Sequence, residues 1–259
     1  CALLIQIGTN FANDYFDARN GADTQDRVGF QRATASGLVS PETMWRATLV
    51  TMGLAFVLGL GLIWIGELVV LWIGVASIAF GILYTGGPFP LGYNGLGDLF
   101  VFLFFGVVAV MGTTYVNTLT WEPLALWASV PVGALCVNIL VVNNLRDIHQ
   151  DSEAGKRTLG VLLGESFLKA EYLFMLVLAF AVPVALWFAP PQAAAFSASG
   201  TGLGADSFLI PLLCLPLAWG PLREVWVHRE KASLNGTLKK TARLMFVHGM
   251  LLSAALLLA

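Results

Sequence analysis

Two short polar stretches contain the side chains of this protein that are best suited to chemistry. The first, residues 10–30, reads NFANDYFDARNGADTQDRVGF, and the second, residues 143–157, reads NNLRDIHQDSEAGKR. Together they hold seven of the 16 acidic residues. Acids that concentrate in two places of an otherwise apolar chain indicate a functional site.

In the first stretch, amide and carboxylate side chains recur four residues apart. The pairs are Asn10 with Asp14 and Asn13 with Asp17. Residues four apart share one face of a helix, so these side chains are expected to line one wall at a helix end. Gly21 then permits a turn that returns Asp23 toward the same space.

The second stretch repeats this arrangement. Asn143, Asp147 and Asp151 follow one another at intervals of four and predict a second polar stripe. A glycine and basic residues come next, as they do in the first stretch. The recurrence predicts two related half-sites.

The residue types favour a particular ligand. Carboxylate and amide oxygens suit Mg²⁺, which commonly bridges protein carboxylates to phosphate oxygens. Basic residues beside the stripes would neutralise the remaining charge. The pattern therefore predicts a diphosphate held between the two acidic stretches. The alternative is a pair of solvated helix caps, but acids at membrane depth are costly and usually functional.

The elements that carry these stretches are predicted from composition. The chain has 259 residues, 57% hydrophobic and 12% charged, with a mean hydropathy of +0.77. That charge content is about half the share of a soluble domain, which excludes a soluble enzyme and a disordered chain. A net charge of −2 excludes a nucleic-acid binder. We expect an all-α, polytopic bundle of helices in a lipid bilayer.

Apolar runs predict eight membrane spans, at 1–17, 41–64, 67–85, 98–116, 123–142, 169–189, 207–225 and 241–258. All 14 Lys and Arg residues fall on the odd-numbered connections and their flanking helix ends. Those connections are 18–40, 86–97, 143–168 and 226–240. The positive-inside rule places this side in the cytoplasm, together with both acidic stretches. The chain opens at Cys1 inside an apolar run, so we expect an upstream segment to be missing.

A third connection on this side, YTGGPFPLGYNGLGD at residues 84–98, is rich in Gly and Pro. One interpretation is a lid over an aromatic substrate, with Tyr84, Tyr93 and Asn94 as its polar contacts. The other is a re-entrant or tight interhelical connection.

These three segments resemble the UbiA-type intramembrane prenyltransferases. The resemblance rests on NDYFD with GAD and DR, on NNLRDIHQD with AGKRT, and on the glycine-rich loop, and it is strongest to the branch that prenylates 1,4-dihydroxy-2-naphthoate. It implies one domain over 1–259 with nine helices around a central cavity, eight of them present here. It also implies the inner (cytoplasmic) membrane, with the active site facing the cytoplasm.

The resemblance further implies transfer of a polyprenyl group from its diphosphate to dihydroxynaphthoate, with loss of CO₂ and diphosphate. Two Mg²⁺ ions would be held by Asn13, Asp17, Asp23, Asn143, Asp147 and Asp151. The catalytic acids would be Asp14, Asp17, Asp147 and Asp151. The diphosphate would contact Arg27, Arg32, Lys156 and Arg157. The aromatic acceptor would contact Asn10, Tyr84, Tyr93, Asn94 and Arg146.

Two other functions share parts of this pattern. A sibling enzyme on the same scaffold would prenylate 4-hydroxybenzoate or homogentisate, or would transfer a phytyl group. An ion-coupled transporter would also carry intramembrane acids. The acids here gather at one membrane face, whereas transport sites lie near the midplane.

Overall fold

The protein is described by a computed structural model that covers residues 1–23, 28–188 and 204–259. Over these ranges the chain is helical and contains no β-strand. The helices are α1 (Ala2–Arg19), α2 (Pro41–Leu83), α3 (Gly97–Thr118), α4 (Pro123–Glu153), α5 (Leu159–Leu163), α6 (Glu165–Phe188), α7 (Leu215–Val227) and α8 (Leu234–Leu258). Short 3₁₀ segments at Leu91–Tyr93, Gly204–Cys214 and Lys231–Ser233 precede α3, α7 and α8.

Six of the described helical segments are long and apolar enough to cross a membrane. The 18-residue α1 is not among them, and α2, at 43 residues, counts once. The prediction of an all-α polytopic membrane bundle is confirmed.

The long helix α2 is a hairpin rather than a single rod. Glu67 interrupts it with non-helical dihedral angles, φ 56° and ψ −156°. A straight helix would separate Met52 from Gly81 by about 43 Å. A Cβ placed on Gly81 would instead lie 3.4 Å from Met52 Cε, so the chain reverses at Glu67. This reversal lies where the sequence predicts the short connection between the spans 41–64 and 67–85.

The most enclosed helix is α4. In its most apolar window 56% of the residues are buried, compared with 11% for α2 and 6% for α3. Leu135, Val141 and Leu145 of α4 pack with Tyr172 of α6 and Leu244 of α8 in one hydrophobic core. The second acidic stretch therefore belongs to the central helix of the bundle.

Several helices extend beyond the apolar runs that predict them. The central helix α4 continues from the predicted limit at 142 to Glu153, so the second acidic stretch forms its last three turns. Similarly, α8 begins at Leu234 rather than at 241. Polar residues outside the hydrocarbon layer can remain helical, which a hydropathy boundary does not register.

The four odd-numbered connections meet at one end of the bundle. Hydrogen bonds join each connection, or its flanking helix end, to another connection. The pairs are Thr85–Asn13, Tyr93–Asp17, Arg157–Tyr93, Asn235–Val28 and Lys231–Glu165. The predicted grouping of these connections on one side is therefore confirmed. Both acidic stretches lie at this end.

Helices α3 and α4 approach each other most closely at two glycines. A Cβ on Gly106 would lie 2.7 Å from Gly133 Cα and 2.9 Å from the Ser129 carbonyl oxygen. These neighbours are backbone atoms and cannot move aside as a side chain can. Small residues that allow close backbone approach are typical of helix pairs in membranes.

We predict that Gly106→Ala lowers the free energy of unfolding by about 1–3 kcal/mol, because the added methyl group forces the two helices apart. Gly112→Ala is the matched control on the same helix, where the nearest atom, of Ile73, is 3.8 Å from the new Cβ. The thermal unfolding midpoint in detergent micelles should fall for Gly106→Ala and stay unchanged or rise slightly for Gly112→Ala. Equal midpoints for the two variants would contradict this packing.

Candidate active site

Residues 10–19 of the first acidic stretch form the last turns of α1, and the two acids in them have separate partners. The Asp14 carboxylate accepts hydrogen bonds from the backbone amides of Ala33 (3.0 Å) and Thr34 (2.9 Å). This carboxylate is 7% exposed and holds the first connection against α1. The structure therefore gives Asp14 a role in placing that connection.

Asp17 lies one turn further along α1 and points toward the other connections. Its Oδ1 accepts a hydrogen bond from the Tyr93 hydroxyl at 2.6 Å and lies 3.3 Å from Lys156 Nζ. The residue is 4% exposed. A carboxylate buried to this extent is stable only because a donor and a cation face it.

The second stretch ends α4 and folds back on itself. Gly155 adopts φ +71°, a left-handed conformation that favours glycine at a helix end. The turn lets the Lys156 amide donate to the Asp151 carbonyl oxygen at 2.8 Å. It also directs the Lys156 side chain over the site, with Nζ 3.7 Å from Asp151 Oδ1.

Lys156 thus places one cation between the two half-sites. Its ammonium nitrogen lies 3.3 Å from Asp17, 3.7 Å from Asp151 and 4.7 Å from the centre of the Tyr93 ring. The side chain is 14% exposed, so solvent screens these attractions only weakly. Two carboxylates from distant parts of the chain are held together by a shared positive charge.

Tyr93 connects the glycine-rich loop to both half-sites. Its hydroxyl donates to Asp17, and its carbonyl oxygen accepts from the Arg157 amide at 2.8 Å. Burial, followed by the charge of Asp17, raises the pKa of the Tyr93 phenol. The phenol therefore stays protonated and keeps donating to Asp17 at neutral and mildly alkaline pH.

A third group of contacts surrounds Asp147. Arg146 donates from Nε and Nη2 to the two carboxylate oxygens of Asp147, both at 2.7 Å. Its Nη1 donates to Asn235 Oδ1 of α8 at 2.9 Å, and Arg146 is 4% exposed. The guanidinium that is predicted to contact the aromatic acceptor thus has partners within the protein.

The glycine-rich loop contributes further contacts. Thr85 donates to Asn13 Oδ1 at 2.9 Å, which anchors the start of the loop on α1. Asn94 donates to the Pro90 carbonyl oxygen at 2.8 Å, so its amide closes the loop. Tyr84 packs beneath the loop, and a Cβ on Gly97 would lie 2.9 Å from its hydroxyl.

The remaining predicted residues differ in exposure and in contacts. Asp23 is 8% exposed, and its Oδ2 is 3.6 Å from Arg32 Nε. Asn10 is exposed on the same face of α1 as Asp14 and Asp17, and Asn143 is half-buried. Arg157 has an exposed side chain. Arg27 lies outside the described residues.

Two residues at this end were not expected from the sequence. Thr85, at the start of the glycine-rich loop, contacts the first acidic stretch, and Asn235, which lies outside the three quoted segments, contacts both stretches. Asn235 is 89 residues from its partner Arg146. Periodicity within a helix could not have revealed contacts of this kind.

The acidic side chains of the site suit a magnesium ion that is bound by one or two carboxylates rather than by three. Over the described ranges, no group of three or more His, Cys, Asp or Glu side chains is close enough to hold a metal ion. Mg²⁺ is usually bound through one or two carboxylates, with water and substrate phosphate completing its shell. The ammonium between Asp17 and Asp151 shows that a cation is accommodated between the half-sites.

Relatives of known name align with most or all of this chain at 35–40% identity. The chain is 35% identical over 258 residues to the 1,4-dihydroxy-2-naphthoate octaprenyltransferase of Mycobacterium leprae (strain TN), covering 100% of this chain and 82% of that protein. It is 36% identical to the protein of that name from Mycobacterium tuberculosis (strain ATCC 25618 / H37Rv), covering 98% and 82%. The corresponding Escherichia coli (strain K12) protein is 40% identical over 168 residues, covering 62% and 54%.

A family model described as the UbiA prenyltransferase family matches residues 1–246. The match includes both acidic stretches, the glycine-rich loop and the start of α8. The chain is therefore a membrane protein that belongs to the UbiA prenyltransferase family.

Proposed function

We propose that this protein transfers a polyprenyl group from polyprenyl diphosphate to 1,4-dihydroxy-2-naphthoate, releasing CO₂ and diphosphate and giving demethylmenaquinol. The observation that carries the proposal is the convergence of two carboxylates, one from each acidic stretch, on the Lys156 ammonium. The names of the relatives support the naphthoate acceptor.

The hard step is breaking an allylic C–O bond, which leaves negative charge on the diphosphate. We assign Asn13, Asp17 and Asp23 on one side, and Asn143, Asp147 and Asp151 on the other, as the residues that would hold two Mg²⁺ ions. Mg²⁺, when bound, supplies positive charge that stabilises the departing diphosphate.

Basic side chains at the same end would hold the diphosphate itself. The Lys156 ammonium, which has three N–H donors, lies between Asp17 and Asp151. The Arg157 side chain is exposed, and Arg32 is partly exposed next to Asp23. Hydrogen bonds from such cations to phosphate oxygens are shorter and stronger than neutral ones. Arg27 belongs to this proposed set by its position in the sequence.

The apolar part of the bundle suits the isoprenoid chain. Phe80 of α2 and Phe100 and Phe104 of α3 form an aromatic cluster, with ring centroids 5.0 to 6.0 Å apart. Such side chains bind hydrocarbon and exclude water. Exclusion of water matters because the allylic cation must meet the aromatic ring before it meets solvent.

For the aromatic acceptor, we propose fewer contact residues than the sequence alone implies. Tyr93, Asn94 and Arg146 already pair with groups of the protein. Asn10 and Tyr84 are left as the favoured polar contacts to the acceptor ring. Tyr93 and Arg146 would then act by holding Asp17 and Asp147.

We also propose that the site faces the cytoplasm from the inner membrane. The support is the distribution of the basic residues, all 14 of which lie on the connections at the end that carries the acidic stretches or on the flanking helix ends. The positive-inside rule, which relates an excess of Lys and Arg to the cytoplasmic side, applies to loops as short as these.

The experiment that tests the proposal uses purified protein with a prenyl diphosphate, Mg²⁺ and a panel of aromatic acceptors. We expect CO₂ release and a prenylated naphthol with dihydroxynaphthoate. A product from 4-hydroxybenzoate or homogentisate alone, or phytyl transfer, would identify a sibling enzyme. Ion or solute flux in sealed vesicles without any transfer would identify a transporter.

We predict that Asp17→Asn and Asp147→Ala each lower the transfer rate by at least about a hundredfold, because each variant removes a carboxylate proposed to hold the Mg²⁺ that would stabilise the leaving diphosphate. The control is Asp206→Asn, since Asp206 accepts a hydrogen bond from Trp187 (2.9 Å) away from the site. Initial rates in membranes with equal expression provide the measurement. Wild-type rates for either site variant would refute the assignment.

Chelation is the second test. EDTA should stop transfer, and added Mg²⁺ should restore it, because the proposed carboxylates require a divalent cation to bind the diphosphate. Addition of Ca²⁺ in place of Mg²⁺ is the control, since Ca²⁺ prefers larger and more flexible coordination. Transfer that continues in excess EDTA would rule out the metal.

Tyr93→Phe tests the contact with Asp17. Loss of this hydrogen bond should lower the rate about tenfold, equivalent to about 1.4 kcal/mol. Because the raised pKa keeps the phenol protonated, the ratio of wild-type to variant rates should be constant between pH 7 and 9. Tyr115→Phe, whose ring stacks on Trp121, is the control. A ratio of wild-type to variant rates that falls to one between pH 7 and 9 would contradict the assignment.

A further inference from the structure

The start of α8 carries an amide that joins two connections. Asn235 Oδ1 accepts from Arg146 Nη1 at 2.9 Å, and Asn235 Nδ2 donates to the Val28 carbonyl oxygen at 3.0 Å. The side chain is partly buried. No motif in the sequence marks this position.

The two neighbours of Asn235 require opposite hydrogen-bonding groups. A guanidinium can only donate, and a carbonyl oxygen can only accept. The carboxamide is the group that presents an acceptor to Arg146 and a donor to Val28 at the same time. Aspartate would serve the arginine but would place an oxygen against the Val28 carbonyl.

On one side, Asn235 completes the surroundings of the second acidic stretch. Arg146 uses Nε and Nη2 on the two oxygens of Asp147, and Nη1 is the group left for Asn235. Because Arg146 is 4% exposed, water cannot readily replace this partner. The amide therefore fixes the plane of the guanidinium and, through it, the orientation of Asp147.

On the other side, Asn235 holds the first connection. Val28 precedes Ala33 and Thr34, the residues whose amides bind Asp14 on α1. The connection is thus attached to α1 at one point and to α8 at another. Both half-sites depend on contacts that reach the same side chain of α8.

We propose that Asn235 is a positioning residue of the diphosphate site, which orients Asp147 through Arg146 and holds the 28–34 segment beside it. The inference rests on the proposed function, since it concerns the same site. It predicts that loss of the amide weakens diphosphate binding without removing any group that contacts the diphosphate.

The test is Asn235→Ala, with two readouts on the full chain in detergent micelles. Calorimetric titration with farnesyl thiodiphosphate, a diphosphate analogue that ionises very slowly, should show about tenfold weaker binding in the presence of Mg²⁺. Amide hydrogen exchange of residues 28–34 in the absence of ligand should accelerate. Asn117→Ala is the matched control, because within the described residues Asn117 donates to the Thr113 carbonyl oxygen of its own helix α3.

Asn235→Asp separates the two contacts. It restores an acceptor for Arg146, so analogue affinity should return to within about threefold of the wild type, whereas exchange at 28–34 should remain fast. This rescue is not expected if Asn235 only stabilises the fold. If Asn235→Ala does not fold, the exchange of Asn235→Asp and its affinity relative to the wild type decide the question.

The inference is overturned if Asn235→Ala binds the analogue within twofold of the wild type, if Asn117→Ala loses as much affinity, or if exchange at 28–34 is unchanged. A failure of the proposed function gives a different result. If the protein is a transporter, the wild type itself would not bind the analogue, while the exchange readout would still report on the Asn235 contacts. If it is a sibling enzyme, the wild type would bind the analogue and the acceptor panel would give a different product.

Discussion

The attraction between one ammonium group and two buried carboxylates organises the functional end of this protein. Asp17 and Asp151 come from helices far apart in sequence, and like charges in a site of low dielectric repel each other strongly. Lys156 lies 3.3 Å from one and 3.7 Å from the other, which allows both to be ionised and close together. Gly155, just after α4, makes the left-handed turn that places Lys156 between these carboxylates.

Other polar contacts at this end hold the neighbouring segments in place. Asp14 fastens the first connection, Tyr93 fastens the glycine-rich loop, and Asn235 fastens the start of α8. The central position of α4 in the core gives these contacts a rigid support.

Much of this architecture could be predicted from the sequence. Hydropathy predicts the membrane helices and the reversal near Glu67, and the basic residues predict which connections share an end. Four-residue spacing predicts the stripes that contain Asp17 and Asp151. These features depend on the spacing of residues within one helix or on the hydrophobicity of a whole segment. Both can be read directly from the sequence.

The partners of the side chains could not be predicted in the same way. Arg146 and Asn94 have the polarity of substrate contacts, but the fold directs them to Asp147, Asn235 and Pro90. Such pairings depend on how helices rotate and stack, which spacing along one helix does not determine.

If Asp17 and Asp151 act together on one ligand, their substitutions must be coupled. A double-mutant cycle with Asp17→Asn, Asp151→Asn and the double variant, measured as affinity for farnesyl thiodiphosphate in the presence of Mg²⁺, measures this coupling. The structure predicts strong coupling, with the double variant binding within about twofold of the weaker single variant. Losses that multiply across the two substitutions would show that the carboxylates act independently and would contradict a shared site.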